Sequence, residues 1–267
     1  MQRTDNYQGK GRHYAHPETG HKMPSVTNVL DMISKPALIP WAAKVERELC
    51  VTTANNVYAS LNGDRVSTEE FSKRLDLALP RQKAHRIVSK DAIDIGNEAH
   101  GLIDWRIRGE LGLERGDEPE TSEPALWAVA GFEDWRREVK LKPTHSEERL
   151  YSDDLDAAGS ADVLCCELDV YIVAPKRRRI SACGDWKTSK ACYPEYDLQV
   201  AAYRHMAIER GLLTDEAWGI VLRLPKTIPD DKFEARLIPP SRCRQLVEVF
   251  RACRRLWEWR NNDKETR

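Results

Sequence analysis

The chain has 267 residues, with 42 Lys and Arg against 43 Asp and Glu, a formal net charge of −1. That balance excludes a nucleic-acid footprint carried by bulk basicity, so any such contact must be local. The length suits one large domain or a core with a smaller lobe. No apolar run approaches a membrane span, and Met1-Gln-Arg-Thr-Asp-Asn6 lacks the apolar segment of a signal peptide. Seven cysteines, odd in number and without a CxxC, suit free thiols in a reducing cytosol. The expectation is a cytoplasmic protein with no membrane partner.

Residues 7–24 read as a short hairpin around Tyr14 and the turn at 17–20. Ser25 or Thr27 can cap a helix beginning near Asn28. A second helix, 38–55, repeats Leu38, Trp41, Ala42, Val45 and Leu49 at helical spacing, and Trp41 is most simply core. Ser67-Thr-Glu-Glu70 has capping-box chemistry and opens a helix over Phe71, Leu75, Leu77 and Leu79. Pro80 introduces a long helix, 81–108, with a stripe of Ile87, Ala92, Ile95, Ala99, Leu102 and Ile103. After an acidic loop, helix 123–140 carries Leu126, Trp127, Ala130, Phe132 and Trp135.

From residue 144 the pattern changes to strands: 146–152, 160–168, 170–174, 179–187, 217–224 and 233–238. Pro175-Lys-Arg-Arg-Arg179 reads as a basic hairpin tip. Helix 195–210 interrupts the strands. A last helix, 241–260, turns Leu246, Val249, Phe250, Cys253, Leu256 and Trp257 inward and its arginines outward, and residues after about 261 fray. The expected organisation is a mainly helical region over 1–95 forming part of a DNA channel, a core over 96–240, and a helix over 241–267 packed on that core.

The chemistry centres on Asp185-Trp186-Lys187, at the end of a strand. Alternation puts Asp185 and Lys187 on one face, either as an exposed ion pair or as a catalytic pair. Asp162, in Gly159-Ser-Ala-Asp162, heads another apolar strand. If the two strands are neighbours, the carboxylates converge and need a cation between them, which suits Mg²⁺ or Mn²⁺. The Trp186 carbonyl is a further oxygen donor. Glu147 and Glu148 precede Arg149; alternation lets one face inward, and Glu147 is preferred, although both suit a plain surface. His100 lies one turn beyond Gly96 on the long helix. A lone helical histidine is usually structural, but beside carboxylates it is a metal ligand or phosphate contact. Glycine inside a helix also admits close approach of a backbone or ligand. Gln199 and Tyr203, four apart, put an amide and a phenol on one helix face.

The order of these elements, Gly96/His100, Glu147, Gly159/Asp162, Asp185/Lys187, Gln199/Tyr203, resembles the RecB-like branch of the PD-(D/E)xK nuclease superfamily. Pro24-Ser-Val-Thr27 with Trp41-Ala-Ala-Lys44 is similar to the N-terminal part of phage-type and mitochondrial genome maintenance exonucleases. The resemblance implies an α/β, restriction-endonuclease-like core: a central mixed β-sheet flanked by helices, plus a helical N-terminal region. It implies a divalent-metal-dependent DNA exonuclease, acting on single-stranded or free DNA ends in phage or bacterial DNA metabolism. Asp162, Asp185, Glu147, His100 and the Trp186 carbonyl would hold Mg²⁺ or Mn²⁺, Lys187 would position the attacking water, and Gln199 and Tyr203 would organise the site. Only Cys243 and Cys253 follow the core, ten residues apart, so no iron–sulfur cluster is expected. Phosphate contacts are expected from Lys176–Arg179, Arg244, Arg251, Arg254 and Arg255, and base stacking from Trp41 or Tyr58, with solvated faces as the bland alternative. A structure-specific endonuclease and a non-catalytic DNA-binding module are the competing readings.

Overall fold

The computed structural model describes residues 3–4, 11–33, 35–173, 176–226 and 232–262. In chain order the elements are β1 (Arg3–Thr4), β2 (His13–Ala15), β3 (Lys22–Pro24), α1 (Val26–Leu30), α2 (Leu38–Ser60), α3 (Thr68–Ala78), α4 (Ala84–Glu110) and α5 (Glu123–Val139). Then come β4 (Lys142–Ser152), β5 (Ala157–Val173), β6 (Lys176–Lys187), α6 (Pro194–Glu209), β7 (Trp218–Arg223), β8 (Glu234–Ile238) and α7 (Pro240–Asn262).

Caps fix several helix starts. Ser25 accepts the Asn28 N–H, so α1 starts at Val26 and is a single short helix. Ser67 accepts the Glu70 N–H at 3.1 Å, with Glu69 and Glu70 in the first turn. Pro124 sits in the first turn of α5, whose chain leaves through Lys140 in the left-handed region.

Strands β1 to β3 form a small antiparallel sheet. The larger sheet has the order β4-β5-β6-β7-β8. Its neighbours are antiparallel except β6 and β7, which are parallel and joined through α6. A parallel pair needs such a crossover, and this one makes the sheet mixed. The protein is therefore α/β, with helices on both faces of a mixed sheet. The two strands expected over 160–168 and 170–174 are one, β5, which absorbs the break as a register shift between Cys165 and Leu168. Ala174 and Pro175 lie outside the described residues, as do 263–267; Arg177 to Arg179 are already in β6.

One sheet face is covered by α1, α6 and α7, which bury Val26, Val29, Met206, Leu246 and Phe250 together with Leu164, Cys183 and Val221. The other is covered by α4 and α5, with Leu102, Ile103, Phe132 and Trp135 against Val163, Trp186 and Leu222. Leu126 and Ala130 of α5 face outward, one step off the buried stripe of Ala125, Ala128, Val129 and Phe132. Val249 and Leu256 of α7 are likewise exposed, and Val247 is buried instead.

The chain divides into two compact units, Met1–Ile33 with Ile95–Arg267, and Ser34–Asp94. Residues 1–33 thus group with the core rather than with the helical region to which the sequence reading assigned them, because α1 buries its apolar side against α6 and α7. Within the second unit Val57, Leu61 and Ala84 are buried and His85 pairs with Glu46 at 3.0 Å. Trp41 is only half-buried rather than core, Tyr58 is exposed, and α3 buries none of its apolar stripe.

Candidate functional site

Strand register assembles the site. Ser146 pairs with Val163 and Glu148 with Ala161, so Glu147 stands opposite Asp162. Val163 pairs with Gly184, which sets Asp162 opposite Asp185 one step on. Three carboxylates from three adjacent strands thus share one transverse row, at the strand spacing of roughly 4.8 Å. Asp162 and Asp185 are buried, at 7% and 2% exposure.

From α4, His100 brings Nδ1 to 3.4 Å from Asp162 Oδ1. Ligand atoms of His100, Glu147 and Asp162 lie within 4.8 Å of one another. The second Asp162 oxygen accepts the Trp186 backbone N–H at 2.5 Å. Trp186, expected to donate its backbone carbonyl to a metal, touches Asp162 through its N–H. The Trp186 ring packs between Phe132 and Trp135 and fixes the strand end from the opposite face.

Lys187 Nζ lies 2.5 Å from Asp185 Oδ2. That oxygen is buried and has no hydrogen bond of good geometry, so the pair is held by charge alone on that side. The other Asp185 oxygen accepts from Gln199 Nε2 at 3.2 Å, and the same amide donates to the Tyr203 hydroxyl at 3.1 Å. Gln199 and Tyr203 therefore reach the site through Asp185. Gly159 leaves room for the phenol: a Cβ there would stand 2.4 Å from Tyr203 Cε1. Gly96 makes similar room, for the Thr188 side chain rather than for a backbone or ligand, with Oγ1 2.9 Å from where its Cβ would be.

Glu147 departs from regular strand geometry. Its φ of 48° lies in the left-handed region, a conformation costing about 1–3 kcal/mol for a non-glycine residue. Simple alternation therefore does not govern residues 147 and 148. Glu147 accepts the Ser160 hydroxyl at 3.1 Å and faces the cluster. Glu148, Glu147 and Ser160 also line a cavity of about 770 Å³ with Arg12, Tyr14, Arg108 and Arg149.

Crowding shifts the acids and bases apart. Burial pushes Glu147 up, the Asp162 charge adds to it, and the carboxyl reaches about 7. Burial also raises Asp185, against the pull of Lys187, to about 6. For His100, burial favours the neutral ring, but Asp162 outweighs it and lifts the imidazole to about 9. Burial would raise Asp162 too; His100 and Lys187 overcome it and hold that carboxyl below its usual range. Lys187 is lifted by Asp185 and Asp162 in spite of burial.

The donor set fits a divalent cation. It offers carboxylate oxygens of Glu147 and Asp162 and one imidazole nitrogen, within 4.8 Å of one another, with Asp185 beside Asp162 in the row. Several neighbours were missed in the sequence. Ser160 is two residues before Asp162, so strand alternation could have found it. Asp104, one turn after His100, accepts from Ser146 at 2.5 Å, and helical spacing could have found that. Arg12, Arg108 and Arg149 meet only in three dimensions and leave no linear signal.

Four of the eight basic residues expected as phosphate contacts have structural partners. Arg251 pairs with Asp154 and Arg254 with Asp156. Arg179 faces Glu167 and Asp169, and Arg177 donates to the Glu138 carbonyl while its guanidinium lies over Tyr171. Arg244 and Arg255 are exposed. Among the described residues no helix is long and apolar enough to cross a membrane. No family model matches this chain, and no characterised protein matches it in sequence.

Proposed function

We propose that this chain is a divalent-metal-dependent nuclease of the PD-(D/E)xK class, on a restriction-endonuclease-like core, that hydrolyses phosphodiester bonds of DNA from single-stranded ends. The observation that carries the reading is the transverse row of Glu147, Asp162 and Asp185, with Lys187 two residues beyond Asp185 and His100 facing Asp162. Three acids and a lysine in one row across β4, β5 and β6 are costly to bury together, and a bound cation would offset the repulsion of the like charges.

Asp162, Asp185, Glu147 and His100 would hold Mg²⁺ or Mn²⁺. Bound there, the cation would supply Lewis-acid stabilisation of charge on the phosphoryl oxygens and lower the pKa of the attacking water. Lys187 donates to that water, keeps it in line with the scissile bond and offsets phosphate charge. Asp185 fixes the Lys187 ammonium. Gln199 fixes Asp185, and Tyr203 supports Gln199. The arginine-lined cavity beside Glu147 offers cationic groups for phosphates flanking the reacting one.

The test uses end-labelled linear and circular DNA, single- and double-stranded, with Mg²⁺, Mn²⁺ or EDTA, and Lys187→Ala beside the wild type. Metal-dependent loss of linear single strands that the variant cannot perform is the expected result. Cleavage of closed single-stranded circles would replace the exonuclease by an endonuclease. Absence of cleavage with either metal would leave a DNA-binding module, and full activity in Lys187→Ala would overturn the role given to Lys187.

A further inference from the structure

On the Lys187 side of the site the chain passes through Thr188–Tyr193 into α6, and two tyrosines stand there that neither the acidic row nor the Gln199 relay uses. Tyr196 presents its ring to the Lys187 ammonium, with Nζ 5.2 Å from the ring centroid. Tyr193 packs edge-on against Tyr196, at 5.5 Å between centroids and 81° between planes. Tyr196 is half-buried against the core, whereas Tyr193 is 41% exposed.

The backbone that carries the exposed ring is anchored on both sides. Arg236 of β8 donates to the Cys192 carbonyl at 2.9 Å and to both Asp197 oxygens, at 3.0 and 3.2 Å. These two anchors bracket Tyr193 along the chain. The Tyr193 carbonyl accepts the Tyr196 N–H at 3.1 Å, and Pro194 fixes the next φ. The Ser189 hydroxyl closes the loop on the Ala191 carbonyl at 2.8 Å. A solvent-facing aromatic, two side chains from Lys187, thus stands on an anchored backbone and against Tyr196 before any ligand arrives.

We propose that Tyr193, buttressed by Tyr196, is the stacking platform for a nucleobase next to the scissile phosphate, so that the substrate class of this site is a polynucleotide with an unstacked base. The proposal rests on the nuclease reading and adds a reason for single-strand preference. A base paired in a duplex already has both faces covered, and a free base does not. Stacking tolerates every base because each has a π-face, so Tyr193 confers strand-type selectivity without sequence selectivity. Tyr196 serves two ends, supporting Tyr193 edge-on and facing the Lys187 ammonium with its ring.

The test measures binding of the full-length protein, in EDTA, to fluorescent oligodeoxythymidine and to an oligomer of equal length whose sugars carry no bases. Tyr193→Ala, Tyr193→Phe and Tyr193→Trp are compared with the wild type, and cleavage of the same oligonucleotides is followed with Mn²⁺. Tyr193→Ala should weaken binding of the base-bearing strand roughly fivefold to a hundredfold, the range for loss of one base–aromatic stack. Phe and Trp should retain it, and the abasic strand should bind wild type and Tyr193→Ala alike. Equal affinity of wild type and Tyr193→Ala for oligodeoxythymidine would overturn the proposal, as would no binding by the wild type. Binding that follows this pattern without any cleavage would sustain the platform and reject the nuclease reading.

Discussion

The ring of Tyr203 lies directly on the backbone of Gly159, so close that a Cβ at that position would stand 2.4 Å from Cε1. This contact joins the helix that carries Gln199 to the strand that carries Asp162. It ties the amide relay on Asp185 to the spacing between α6 and β5. Gly159→Ala should therefore push the phenol away and pull Gln199 off Asp185. Overpacking of this kind costs about 1–3 kcal/mol, and in a chain of this size the melting temperature should fall by several degrees, ~2–4 °C per kcal/mol. Tyr203→Phe removes only the hydroxyl and should keep the fold. Melting curves and cleavage rates of the two variants check this. A Gly159→Ala protein as stable as wild type would mean that α6 does not lean on β5 as described.

Protons and a divalent cation should compete for the acidic row. In the metal-free protein Asp185 is raised to about 6, Glu147 to about 7 and His100 to about 9, each above its unfolded value. A raised group contributes stability that is complete below the unfolded pKa and is lost as pH rises through the folded one. The metal-free protein should thus lose these contributions between about pH 4 and 9, first from Asp185, then from Glu147 and last from His100. Asp162, held low, acts in the opposite sense and only in acid. A cation binds the deprotonated forms, so the rise in melting temperature on adding Mn²⁺ should be larger at pH 8 than at pH 6. Thermal melts with Mn²⁺ and with EDTA at both pH values measure it. An increment that does not grow with pH would remove Glu147 and His100 from the ligand set.

Glu147 stands at φ 48° inside β4 and brings a carboxyl next to Asp162. Backbone strain and a crowded charge in one residue suggest stability given up for function. Glu147→Gly relieves both and should leave the protein as stable as wild type or more so, by about 1 kcal/mol after the entropic cost of glycine. Cation binding and cleavage should both fall. Denaturant unfolding beside Mn²⁺ titration separates the two effects. A variant that is destabilised yet still cleaves normally would assign Glu147 to the fold.

Helix starts and the strands around Asp162 and Asp185 were legible because they depend on local chemistry. Ser67 caps its own helix, and period-two alternation puts Asp185 and Lys187 on one face. The acidic row itself was not legible, since it depends on which strands pair and in which register. The Glu147 position was undecidable by alternation because that residue leaves the β region. Arg251 and Arg254 looked like a solvated cationic face in the sequence, since Asp154 and Asp156 are about a hundred residues away and meet them only when α7 packs beside the β4–β5 turn. Tyr193 carried no signal, because its place beside Lys187 follows from how the loop enters α6.

Two arginines that look alike in sequence should behave in opposite ways. Arg108 lines the cavity beside Glu147, and its guanidinium donates to a neutral acceptor, the Glu114 carbonyl, at 3.0 and 2.6 Å. Arg254 bonds the Asp156 carbonyl at 2.9 Å as well as its carboxylate, and so anchors α7 to the β4–β5 turn. Arg108→Ala should weaken DNA binding and reduce the salt dependence of log Kd by ~0.7 for a single strand, one phosphate contact. It should leave the melting temperature nearly unchanged. Arg254→Ala should lower stability by about 1–2 kcal/mol, the loss of charge-assisted bonds moderated by the partial exposure of Asp156, and leave the salt slope as it was. Titrations of labelled DNA across a salt series, beside denaturant unfolding, measure both. A reduced salt slope in Arg254→Ala with unaltered stability would move the phosphate path from the cavity to α7.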